Sequence, residues 1–118
     1  VCSPDTVDVY NPKVVQASMG SLTRVSVYYE PIIPLINGLK VPIYGTFMEG
    51  TPIQKIAFKT AGIIVFGNEG NGISKGINDL ITEKIAIQAH ASSAAESLNV
   101  ANAAAIVFYE MRRELLKG

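Results

Sequence analysis

Short apolar runs alternate along the chain with stretches whose apolar residues recur every three or four positions, the pattern of an α/β domain. Val1-Cys2 reads as the tail of a strand. Asn11-Pro12 reads as an N-cap followed by a first-turn proline, where the missing N–H costs nothing. That helix runs to about Ser18 and stops at Met19-Gly20. Arg24 to Tyr29, rich in β-branched and aromatic residues, predicts a strand. Pro31 to Asn37 predicts a short helix closed by Asn37-Gly38. A second strand is expected over Val41 to Met48, then a turn at Glu49-Gly50-Thr51-Pro52. The unbroken apolar run Gly62 to Phe66 predicts a central parallel strand buried on both faces. Ser74 can cap a helix reaching about Ile81, and Lys84 to Ile87 predicts another strand. The last element is a helix from Ser97 to about Leu116, with Leu98, Ala101, Ala105, Phe108, Met111 and Leu115 on one face. Arg112, Arg113 and Lys117 sit at its carboxyl end, where cations suit the helix dipole.

Composition narrows the class. The chain has 118 residues, which suits one domain. Charged residues make up 17% and apolar residues 48%, so disorder is excluded and some apolar surface is expected to be covered by a partner subunit. Mean hydropathy is +0.27, yet no apolar run is long enough to span a membrane. Ten basic residues balance ten acidic ones, which excludes a strongly basic nucleic-acid grip while leaving room for a local patch. The single cysteine, Cys2, cannot form an internal disulfide, and with no legible signal peptide a cytoplasmic protein is expected. The opening Val1-Cys2-Ser3 has no initiating Met and suggests a fragment or processed piece.

Three segments could carry chemistry. Gly67-Asn68-Glu69-Gly70-Asn71-Gly72-Ile73-Ser74 directly follows the apolar run. Its glycines permit a sharp turn and close approach to a ligand, at the carboxyl end of a strand where open α/β sheets bind ligands. A P-loop is excluded because no Lys-Ser/Thr follows Gly72, and the G-x-x-G-x-G order is wrong for a dinucleotide loop. Glu69 would repel phosphate but can accept hydrogen bonds from a cationic or hydroxyl-bearing ligand. An ordinary strand-to-helix turn is the plain alternative. Ala95-Glu96-Ser97-Leu98-Asn99-Val100 opens the long helix. Ser97 is explained as an N-cap, whereas Asn99 lacks a packing role and could orient a polar ligand at the positive helix end. Gln16 to Ser21 offers small residues at a helix end, which a C-cap explains equally well. His90 stands alone, so no metal site is expected, and no nucleophile elbow is present.

Taken in order, three segments resemble the SpoU/TrmH-type RNA 2′-O-ribose methyltransferases of the SPOUT class. They are Asn11-Pro12-Lys13-Val14-Val15-Gln16-Ala17-Ser18-Met19-Gly20, Val65-Phe66 with Gly67 to Ser74, and Glu96-Ser97-Leu98-Asn99-Val100-Ala101 leading to Ala105–Glu110. The resemblance covers essentially the whole chain. It implies an α/β fold with a mostly parallel sheet flanked by helices and a C-terminal trefoil knot, in a single methyltransferase domain over residues 1–118. It implies S-adenosylmethionine as cofactor, with Ser18, Met19, Gly20, Gly67, Ile87 and Leu98 as contacts. Glu69, Ser97 and Asn99 match the family's acid, serine and asparagine. Ser97 and Asn99 would orient the nucleotide or catalytic group, and Glu69 would hold the loop and the family's catalytic arginine.

The resemblance further implies a homodimer acting on ribosomal or transfer RNA, with no DNA or membrane partner. The family's first motif, which carries an Asn and that Arg, would lie upstream of Val1, so the chain alone is expected to bind cofactor and methylate poorly. Gln88 stands where proline is usual and Gln16 where arginine is common. Two rival readings are a cofactor- or RNA-binding module without turnover and a structural dimerisation domain whose glycine loop is only a turn.

Overall fold

The computed structural model describes residues 1–89 and 98–117, which divide into two compact units, Val1–Gly38 and Leu39–Gly118. In the first unit, helix α1 spans Pro12–Ser18. Asn11 caps it as the sequence suggests, its side chain accepting from the Lys13 N–H at 3.0 Å. Met19 then takes the left-handed conformation (φ 50°) and Gly20 follows at φ 83°, so the helix cannot continue. A 3₁₀ turn covers Ser21–Thr23, and helix α2, Ile32–Ile36, ends where Gly38 turns at φ 84°.

The strand expected over Arg24 to Tyr29 is corrected. Its pairing is a single parallel bridge between Tyr29 and Cys2. The Tyr29 hydroxyl donates to the Val7 carbonyl at 2.7 Å and accepts from the Val9 N–H at 2.8 Å. That phenol holds the preceding loop where strand pairing does not.

The second unit is built on a parallel sheet of β1 (Ile43–Pro52), β2 (Ile63–Val65) and β3 (Glu83–Ala86), in the order β2-β1-β3. Helix α3 is Lys75–Asn78 and helix α4 is Val100–Leu115. The α/β class with a parallel sheet is therefore as expected, with three local corrections. β2, half-buried, stands at the edge of the described sheet rather than at its centre, and β1 takes the middle. α3 closes at Asn78, short of Ile81. The expected turn at Glu49–Pro52 is instead part of β1.

That last difference has a specific form. Ile85 of β3 pairs with both Thr46 and Thr51, so the four residues between them bulge out of the ladder. Glu49-Gly50-Thr51-Pro52 has turn composition, but Pro52 sits at the strand's end, where no further ladder bond is lost.

The core gathers Tyr44, Ile53, Ile56, Phe58, Ile85 and Val107, flanked by Ile64, Phe66, Ile87 and Met111. Tyr44 packs on Phe58 with ring centroids 5.0 Å apart, while its hydroxyl accepts from the Lys59 N–H. Val107, with no exposed surface, is the anchor of α4. The helix face expected from spacing is thus rotated. Ala101, Ala105 and Phe108 are exposed, while Val107 is buried and Ala103, Ala104 and Met111 are half-buried. An alanine-rich helix offers apolar residues on several faces, and periodicity alone cannot choose among them.

Candidate functional site

The apolar strand β2 delivers the chain into the glycine loop at the carboxyl edge of the sheet. There the backbone folds on itself. Asn68 and Gly72 exchange two backbone hydrogen bonds, of 3.1 and 2.8 Å. The Asn68 side chain accepts from the Gly70 and Asn71 N–H groups at 2.8 and 3.2 Å. Gly72 sits at φ 67°, a region open chiefly to glycine. A Cβ at Gly67 would lie 2.5 Å from the Gly72 carbonyl carbon and 2.6 Å from the Ile73 nitrogen. The loop is therefore a closed turn that only these glycines permit.

The loop is tied to the head of α4. Asn99 is the N-cap, its Oδ1 accepting from the Ala101 and Asn102 N–H groups at 2.9 and 3.3 Å. The cap expected at Ser97 therefore falls on Asn99. The same amide turns its Nδ2 outward and donates to Glu69 Oε1 at 3.2 Å. One side chain thus finishes the helix and holds the loop's carboxylate. Phe66 and Phe108 join the same two elements edge to face, with centroids 5.9 Å apart.

Beneath this link lies a cavity of about 770 Å³, within the size range of small-molecule sites. Gly67, Glu69, Ile87 and Leu98 all line it, so the structure brings these four expected site residues together. Asn99 reaches it through Glu69. Ser18, Met19 and Gly20 belong to the first unit, at the end of α1. Ser97, Glu96 and His90 lie outside the described residues. Among the described residues no three His, Cys, Asp or Glu side chains cluster as a metal site would require.

Sequence reasoning missed the opposite wall: Thr46 of β1 with Phe47, Met48 and Glu49 from its bulge, and Lys84 from β3. Lys84 Nζ stands 4.7 Å above the Phe47 ring. The rule that ligands bind beyond the carboxyl ends of parallel strands applies to β1 as much as to β2 and was the available signal. It was hidden because Glu49–Pro52 looked like a turn. Chemically, the cavity combines apolar walls with two carboxylates, one ammonium and the backbone groups of a tight loop. That donor set fits a zwitterionic or cationic ligand with an apolar body, and Glu69 disfavours a phosphate at the loop.

Residues 1–109 match the model of the SpoU rRNA Methylase family, and the chain belongs to that family. A 23S rRNA (guanosine(2553)-2′-O)-methyltransferase of Bacillus subtilis is 31% identical over 116 residues, 95% of this chain and 46% of that protein. A TrmH-family protein of Porphyromonas gingivalis shares the fold with a TM-score of 0.82 and 38% identity, over 94% of this chain and 47% of the other. The SpoU methyltransferase AviRb of Streptomyces viridochromogenes, solved in complex with AdoMet, superposes with a TM-score of 0.84 at 29% identity, over 98% and 49%. The chain thus spans about half the length of the relatives it matches.

Proposed function

We propose that this chain is the S-adenosylmethionine-dependent methyltransferase domain of an RNA-modifying protein, acting in the cytoplasm on a ribose 2′-hydroxyl of ribosomal or transfer RNA. The observation that carries it is the cavity under the Glu69–Asn99 link, with Gly67, Ile87 and Leu98 in its wall. Family membership and the RNA 2′-O-methylation in the relative's name support the same reading.

The cofactor would supply an activated methyl group on a sulfonium. The residues of the chain would do the rest. Gly67, Ile87 and Leu98 would enclose the nucleoside with backbone and apolar surface; Ser18, Met19 and Gly20 are assigned cofactor contact by the family's pattern alone. Asn99 would fix the Glu69 carboxylate, and Glu69 would hold the loop and orient a catalytic arginine. Ser97, through its motif, is assigned to orienting the nucleotide. Positioning supplies much of the rate in such a transfer, because a weak nucleophile must be held against its target.

The trefoil knot and the homodimer belong to the same proposal. The dimer draws support from α4, where Ala105, Ile106, Tyr109 and, at the C-cap, Leu116 form an exposed stripe at helical spacing.

Calorimetry with S-adenosylmethionine, followed by transfer of labelled methyl to ribosomal and transfer RNA transcripts, tests the reading. Binding heat is expected from the chain itself, and label in 2′-O-methyl nucleosides when the family's arginine-bearing motif is joined to it. Heat without label would favour the non-catalytic binding module. Absence of heat at millimolar cofactor would end the proposal.

A further inference from the structure

We propose that Lys84 is a specificity-determining residue of this cavity, binding the carboxylate of the cofactor's amino-acid end. The inference rests on the reading of the cavity as the cofactor site and deepens it. Lys84 is the single Lys or Arg among the described residues that line the cavity. The same wall carries Glu49 and the loop carries Glu69. S-adenosylmethionine presents one carboxylate, one ammonium and one sulfonium. One base and two acids in the wall are the complement of that set.

Lys84 is also held in place. Its ammonium lies over the Phe47 ring at 4.7 Å. The bulge of β1 passes close to its backbone, with no room at Gly50 for a side chain, since a Cβ there would come within 2.8 Å of the Lys84 carbonyl oxygen. Among the described residues Lys84 forms no ion pair, so its charge is not already neutralised by a neighbouring carboxylate. A cation restrained by an aromatic face keeps its three donors for a ligand, at a smaller entropic cost than a freely rotating lysine.

The test compares S-adenosylmethionine with its decarboxylated analogue, which lacks only the carboxylate. Dissociation constants are measured by calorimetry on the full chain and on Lys84→Met and Lys84→Arg. The wild type is expected to prefer the intact cofactor by about ten- to a hundredfold, the range of a hydrogen bond to a charged group. Lys84→Met should bring the two ligands within about twofold by weakening only the intact one, and Lys84→Arg should keep most of the preference. Equal binding by the wild type, or a preference that survives Lys84→Met, overturns the assignment while leaving the cofactor site intact. A Lys84→Met chain that keeps its cofactor preference but loses RNA retention assigns the lysine to RNA and likewise overturns it. A wild type that binds neither ligand overturns the site reading itself.

Discussion

At the scale of single residues, Asn99 and Gly67 carry more than their size suggests. Asn99 caps α4 with its oxygen and holds Glu69 with its nitrogen. The two roles are separable. Asn99→Ala should cost about 1 kcal/mol of stability through the lost cap. Asn99→Ser should keep most of the cap and lose only the contact with Glu69. Thermal unfolding reads the first effect. Cofactor affinity, lowered in both variants, reads the second. Equal affinities in wild type and Asn99→Ser would remove the link from the site.

A Cβ at Gly67 would meet backbone atoms at 2.5 and 2.6 Å, whereas one at Gly45 would meet mainly the ends of Ile81 and Phe47 side chains at 2.7 and 2.8 Å. Side-chain ends can swing aside and the backbone of a closed turn cannot. Gly67→Ala should therefore abolish cofactor binding in calorimetry, while Gly45→Ala should leave binding within a few-fold and lower the melting temperature. At this scale the sequence was informative. Glu69 and Asn99 both stand out in the sequence, but the hydrogen bond between residues thirty positions apart is not derivable from spacing. Nor is the second task of Asn99, because a cap is a property of local backbone and its partner is a property of the fold.

At the scale of elements, the order of helices and strands was legible, and their edges and faces less so. Asn11, Pro12 and Gly38 mark their boundaries through backbone chemistry that no tertiary contact overrides. Arg24 to Tyr29 has strand composition without strand pairing, since β-branched residues favour an extended chain but cannot supply a neighbour. The bulge of β1 was illegible because it is imposed by β3, almost forty residues on.

Helix α4 offers an element-scale prediction. Near its end, Arg113 Nε donates to both oxygens of Glu110, at 3.2 and 3.1 Å, and the guanidinium holds that carboxyl below its ordinary value of 4.5. A depressed carboxylate stabilises the folded state above its unfolded value, and the gain is lost as pH falls through the folded value. Glu110→Gln should therefore melt lower than wild type at pH 7. The gap should narrow on acidification below 4.5 and shrink in molar salt, because the arginine is partly exposed. A gap that is constant from pH 7 to pH 3 would assign the effect to packing.

At the scale of the whole molecule, low charge fitted a chain with surface left to cover, and α4 shows where such surface lies. Tyr109 is 70% exposed on the same stripe as Ile106. Sedimentation of the wild type should give a dimer, and Tyr109→Glu should shift it toward monomer by placing a charge in the contact. The melting temperature of the wild type should rise with protein concentration, as for any folded state stabilised by association. A monomer at all concentrations would refute the dimer. The two compact units could not be read from composition, because no linker marks Gly38–Leu39; the division lies in contacts, not in residue types.

The parallel arrangement also sets a timetable. β1 waits about 20 residues for its first partner at Ile63 and about 39 for its second at Glu83, with no hairpin to shorten either interval. At roughly 5–20 residues per second of synthesis, the middle strand emerges from the ribosome several seconds before its second edge can be satisfied. Slowing synthesis over the interval in which β1 has left the ribosome and β3 has not should lengthen that vulnerable period and lower the yield of native protein, read as the soluble fraction after expression.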